Sequence, residues 1–323
     1  MKISQLKKFP VLLAVLFSAT ACLAQDVYPS RPITVVVPFP PASTSDIALR
    51  AVAQKMSEIL SKPVIVENRP GANGQIGNLY VARSKPDGYT LVAGSAATLT
   101  VGAAFAKNLP YNVEKDFAPV SLIGVIAPML VVNKNLPAQT IDELVILAKA
   151  SPGKLNYGVS SQTSRLLGEI FKLSTDSHIV DIAYKGPAEV ALDLLAGRIH
   201  ISFEAPGAVM PHIRAGTLKP LAVMGTIRSS TLPNVPTVRE AGYKGLELEG
   251  FIGLLAPAGT AKHIVEKLSS AMAASLTSSE IRAQLETMGM EPRASTPAQF
   301  SEKISNDYNR LSAVIKAAGI EPQ

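Results

Sequence analysis

Short β-branched runs alternate along this chain with apolar residues spaced three and four apart. Ile33-Thr34-Val35-Val36-Val37 is an apolar run of the kind that forms a buried strand, and Ile47, Ala51, Val52, Met56, Ile59 and Leu60 then recur at helical spacing. Tyr89 to Ala93 and Leu155 to Val159 read as further strands, and Leu166, Leu167, Ile170 and Phe171 give one face of a helix. Ile199 to Phe203 alternates as a half-buried strand. Near the end, Thr296 caps and Pro297 starts a helix whose stripe is Phe300, Ile304, Leu311 and Ile315, a brace packed on one lobe. Alternation of this kind from Ile33 to Val223 predicts an α/β fold with mainly parallel sheets. A chain of 323 residues exceeds one ordinary core, so two lobes are expected.

The N-terminus changes the picture of compartment. Lys2, Lys7 and Lys8 precede the apolar stretch Val11 to Phe17, and small residues follow to Ala24, as in a secretory signal peptide spanning 1–24. The stretch is too short to span a bilayer. Cleavage after Ala24 is expected, and a periplasmic location with it. Cys22, the sole cysteine, sits in a loose lipobox, so lipid anchoring there is the lesser alternative. Loss of the three lysines lowers the formal charge from +6 to +3. Without tryptophan or a Lys/Arg block, nothing supports nucleic-acid binding. His178, His200, His212 and His263 lack ligand spacing, so neither a metal nor a cofactor is expected.

Chemistry concentrates at the ends of the predicted strands. Pro38-Phe39-Pro40-Pro41-Ala42-Ser43-Thr44-Ser45-Asp46 is a kinked, hydroxyl-rich loop between a strand and a helix. Ser43 and Asp46 have the spacing of a capping box. The first-turn N–H groups of such a helix are unpaired and face its positive dipole end, which makes an anion site. Plain helix capping by Ser43 and Ser45 is the competing reading. Three more strand ends are similar: Gly94 to Thr98, with Ser95, Ala97 and Thr98; Ser160 to Arg165, with Ser161, Thr163 and Ser164; and Glu204. Ligands gather beyond the carboxyl ends of strands in open α/β sheets. Arg165 is read either as a grip on a ligand carboxylate or as an exposed partner of Glu169, and Glu204 either repels a carboxylate or holds an ammonium group. The loop Glu67 to Gly74 is built to turn. There is no P-loop, no Gly-x-Ser-x-Gly elbow and no dinucleotide fingerprint, which favours binding over catalysis.

Ordered blocks across the chain resemble the solute receptors of tripartite tricarboxylate transporters, the Bug receptors. They include Tyr28-Pro29-Ser30-Arg31-Pro32-Ile33, the Pro-Phe-Pro-Pro loop, Val66 to Ala72, Pro86 to Leu91, Lys115 to Val120, Pro152 to Tyr157, Tyr184-Lys185-Gly186, Leu232 to Thr237 and Gly253 to Thr260. The resemblance implies a two-lobed periplasmic binding protein of the type II-like kind, with a ligand cleft between lobes. It implies a small organic carboxylate, held by the loops 38–46 and 160–165 with ordered water, and delivery to inner-membrane permease subunits. The ligand classes left open are dicarboxylates, tricarboxylates, aromatic acids and amino acids.

The departures fall in the cleft. Ala42-Ser43-Thr44-Ser45 stands where the family usually has Gly-Gly-Gly-Thr, Arg165 where histidine is common, and Glu204 and Ala205 where it has aspartate and asparagine. Lobe one is expected over 25–124 and 251–323, and lobe two over 125–250, in a monomer. A ligand sensor for a membrane signalling protein and a secreted enzyme acting on a small acid remain the alternatives.

Overall fold

The computed structural model describes residues 28–320. The signal peptide, Cys22 and the cleavage position lie outside these residues. The strands are β1 Ile33–Val37, β2 Val64–Asn68, β3 Thr90–Ser95, β4 Phe117–Ile126, β5 Met129–Asn133, β6 Asn156–Val159, β7 Val180–Ala183, β8 Ile201–Glu204, β9 Leu218–Val223, β10 Gly250–Pro257 and β11 Glu291–Pro292. The helices are α1 Thr44–Leu60, α2 Gln75–Ala82, α3 Ala96–Leu99, α4 Val101–Phe105, α5 Ile141–Ala150, α6 Gln162–Thr175, α7 Pro187–Leu195, α8 Pro206–Arg214, α9 Lys262–Ser275, α10 Ser279–Thr287 and α11 Pro297–Ala317.

Two sheets form, in the orders β11-β4-β10-β3-β1-β2 and β7-β6-β8-β5-β9. The chain leaves the first sheet after Ile126, enters the second at Met129, leaves it after Val223 and re-enters the first at Gly250. Each sheet is mixed, but neither is mainly parallel. Four pairings are parallel and five antiparallel among the described residues. The crossings explain the correction. β1, β3, β6 and β8 end at the cleft, whereas β5 and β10 arrive from the opposite lobe and begin there. An arriving strand must run against its neighbours, and β5 and β10 account for four of the five antiparallel pairs.

β1 is buried because its runs of Val and Ile meet α1 on one side and α2 on the other. Ile33, Val35 and Val37 pack with Leu49, Val52 and Met56, while Val36 packs with Val81. Of the stripe read from the spacing of α1, Val52, Met56 and Leu60 are buried, Ile47 and Ala51 are half-buried and Ile59 is 41% exposed; Ala48, Leu49 and Ala53 complete the inner face. In the second sheet, Leu130, Tyr157 and Phe203 pack under Leu166, Ile170 and Phe171 of α6. Tyr157 meets Phe203 edge to face, with ring centroids 5.9 Å apart. α11 departs from a single-lobe brace. Phe300 and Ile304 join the first lobe's core with Phe251 and Leu255, and Leu311 and Ile315 join the cluster of Leu166 and Phe171. No helix among the described residues is long and apolar enough to cross a membrane.

Candidate functional site

The loop after β1 is stiffened by its own acid. Asp46 is buried, and its Oδ2 accepts the Ala42 N–H at 2.9 Å while its Oδ1 accepts Arg50 Nε at 3.0 Å and Asn68 Nδ2 at 2.9 Å. Asn68 Nδ2 also donates to the Phe39 carbonyl at 3.1 Å. Ser43 Oγ accepts the Asp46 N–H at 3.3 Å, so the pair is a capping box whose carboxylate reaches one residue further back than usual. Burial opposes charge on Asp46, but bonds from Arg50, Asn68 and Ala42 hold its carboxyl below the ordinary value. Ala42 takes a φ of 63°, the left-handed region that favours glycine.

The second loop is fixed by a serine. Ser161 caps α6, its Oγ accepting the Ser164 N–H at 3.2 Å. Ser164 Oγ accepts the N–H groups of Ser160 and Ser161, each at 3.0 Å, and donates to the Ser161 carbonyl at 3.0 Å. That exhausts the Ser164 hydroxyl. The helices therefore open with N–H groups that have no protein acceptor among the described residues: Thr44 and Ser45 on α1, Gln162 and Thr163 on α6.

Both helix ends line one cavity of about 420 Å³ between the sheets. Of the residues singled out from sequence, Phe39, Ser43, Thr44, Ser45, Ser95, Ala97, Ser160, Ser161, Thr163, Ser164 and Glu204 border it. Ser95 is 7% exposed and its Oγ has no hydrogen-bond partner. Glu204 is 5% exposed, and its Oε1 accepts the Ser160 hydroxyl at 2.6 Å. Burial pushes the Glu204 carboxyl above its usual range, against the Ser160 hydrogen bond.

Two expected residues do not border this cavity. Thr98 is buried on the far side of the α3 turn, its Oγ1 donating to the Ser95 carbonyl at 3.2 Å, and it faces a separate cavity of about 200 Å³. The Tyr111 hydroxyl donates to the Thr98 carbonyl at 3.0 Å and accepts from Asn78 at 2.9 Å, which fixes the turn from behind. Burial pushes the Tyr111 phenol up to about 12. Arg165 lies on the second turn of α6, 41% exposed, with its guanidinium 3.8 Å from Asp181 of β7 rather than against Glu169. At about 100° per residue, two residues beyond Thr163 carry the Arg165 side chain to nearly the opposite side of α6.

Sequence reasoning missed the apolar wall. Ile126 and Pro128 at one crossing, and Gly250, Phe251 and Ile252 at the other, line the cavity, as do Pro187 and Phe203. A search for polar strand ends passes over such residues, because from sequence they resemble core. The predicted crossings near 125 and 250 were the only signal.

Two α/β lobes joined by two crossings, with unpaired helix ends facing a cavity between them, define the solute-binding receptors. The chain belongs to the tripartite tricarboxylate transporter family receptors, whose pattern it matches over residues 48–320. Protein BugT of Bordetella pertussis is 37% identical over 317 residues, 95% of this chain and 97% of that one. A protein of R. palustris solved with adipate is 34% identical with a TM-score of 0.74, covering 92% of this chain and 100% of that one. MatC of Rhodopseudomonas palustris with bound malate is 27% identical with a TM-score of 0.69, covering 89% of this chain and 100% of that one.

Proposed function

We propose that this receptor works in the periplasm, after loss of residues 1–24, and captures a small organic carboxylate without turning it over. The observation behind this is the meeting of two long helix N-termini in one cavity, with the free N–H groups of Thr44, Ser45 and Thr163 between them and the unpartnered Ser95 hydroxyl beside them. Thr44 and Ser45 would receive the carboxylate from one lobe and Thr163 from the other, so the ligand itself ties the lobes. Micromolar affinity needs about 8 kcal/mol, and charge-assisted hydrogen bonds contribute about 1.5 to 3 kcal/mol each. Three such bonds, with a fourth from the Ser95 hydroxyl, can reach that figure without a basic side chain. The apolar wall of Phe39, Phe203, Phe251 and Ile252 would bury the ligand's carbon skeleton.

The crossings at 126–129 and 223–250 serve as the hinge, and the closed form is what a membrane permease would recognise. The adipate- and malate-bound relatives place di-acids and hydroxy-acids in the screen beside amino acids. The experiment is a thermal-shift screen of ligand-stripped protein against mono-, di- and tricarboxylates and amino acids. A ligand at a hundredfold its Kd adds about 2.7 kcal/mol of stability. A shift with the acid recovered unchanged supports the receptor reading; an acid consumed during incubation sinks it in favour of an enzyme.

A further inference from the structure

The cavity holds one ionisable side chain, and it is an acid. Among the described residues no Lys, Arg or His borders it; Glu204 does. The two helix ends supply positive potential without a basic residue, so one carboxylate of a ligand is served there. Nothing comparable awaits a second. Glu204 Oε1 is occupied by the Ser160 hydroxyl and the Ser202 hydroxyl lies beside the same carboxyl, which still leaves lone pairs on Oε2 for a ligand donor. Arg165, which could have met a second carboxylate, lies outside the cavity beside Asp181. A di-acid reaching Glu204 would place two carboxylates together in a cleft largely shielded from water, and one of them would have to take up a proton. A ligand bringing an ammonium group would instead satisfy Oε2 and neutralise Glu204.

We propose that Glu204 is the specificity-determining residue of this receptor, selecting ligands that carry both a carboxylate and an ammonium group over di-acids of the same length. This rests on the carboxylate-receptor reading and narrows it. Selection of this kind works by repulsion as much as by attraction: the helix ends accept any carboxylate, and the lone acid rejects the wrong second group.

The test is calorimetry on ligand-stripped protein with length-matched pairs, each an ω-amino acid and its di-acid: 4-aminobutyrate against succinate, 6-aminohexanoate against adipate. For at least one length, the amino acid is expected to bind about tenfold tighter or more. Glu204→Gln should remove most of that advantage and raise the affinity for the di-acid. A wild-type preference for the di-acid at every length, undiminished or unchanged in Glu204→Gln, overturns the role of Glu204 while leaving the carboxylate reading intact. Failure of every acid in both series overturns both. The wild-type ratio decides the matter even if Glu204→Gln does not fold, which its melting temperature will report.

Discussion

The serines at the ends of β1, β3 and β6 look alike in sequence and do different things. Ser164 spends its whole hydroxyl on Ser160 and Ser161, whereas Ser95 keeps an unpartnered Oγ at the cavity. Sequence places both at a cleft but does not reveal which neighbours consume them, because those bonds depend on angstrom-scale geometry. Asp46 shows the same point with a measurable consequence. Its carboxylate ties the first loop to Arg50 and Asn68, so Asp46→Asn should cost about 2 kcal/mol at neutral pH. Its folded-state pKa is depressed, so the contribution is complete above the unfolded value near about 4 and is lost as pH falls through the folded one. Melting curves of the two proteins should therefore converge in acid; a gap unchanged down to strong acid would remove the carboxylate from the explanation. Arg165→Ala, by contrast, should leave ligand affinity within about twofold, since an exposed pair with Asp181 is all it loses.

At the scale of elements, two helix starts were legible because capping is local: Ser43 with Asp46 and Thr296 before Pro297 are each settled within four residues of chain. Ser160 to Arg165 read as a strand-end loop, although Ser161 already caps α6 there. What a helix meets is not local, and there α11 departs from expectation. Its stripe gave the buried face correctly, yet the two halves of that face enter different cores: Phe300 beside Phe251 at 5.4 Å between centroids, Leu311 in the cluster of Leu166 and Phe171. A period of 3.6 says which side is covered and nothing about whether one lobe or two cover it. Leu311→Ala should therefore cost about 2 to 5 kcal/mol. It should also speed hydrogen exchange in α6, a helix it is separated from by more than a hundred residues of chain. Faster exchange confined to α11 would argue that the helix belongs to the first lobe alone.

The molecule as a whole is organised by its two crossings, and the strand directions they impose were the least legible part. Alternating strands and helices suggested parallel sheets, but the pattern does not record that β5 and β10 arrive from the other lobe and must run backwards. At the second crossing sits Glu249, which sequence reading passed over. Its Oε1 accepts both the N–H and the hydroxyl of Thr226, each at 2.8 Å, and Thr226 follows the last strand of the second sheet. Its Oε2 faces Arg293 at 3.6 Å and Lys303 at 3.7 Å, both in the first lobe. Burial works against charge there, but Thr226, Lys303 and Arg293 together hold the carboxyl below its ordinary value. One side chain thus bonds to both lobes at the point about which they would turn. Glutamine keeps an acceptor for Thr226 and loses the cations' partner; alanine loses both and leaves the Thr226 N–H without its acceptor. Glu249→Gln should cost about 1 kcal/mol and Glu249→Ala about 3 kcal/mol, because glutamine forfeits only the ion pairs and alanine forfeits the two Thr226 hydrogen bonds as well. The charged part of that difference should vanish as pH drops below the carboxylate's folded pKa, whereas the deficit of Glu249→Ala should persist. If the joint sets how the lobes meet, Glu249→Ala will also weaken the best ligand by about tenfold without contacting it. Equal ligand affinity in a destabilised Glu249→Ala would make the residue a staple of the fold and no part of the hinge.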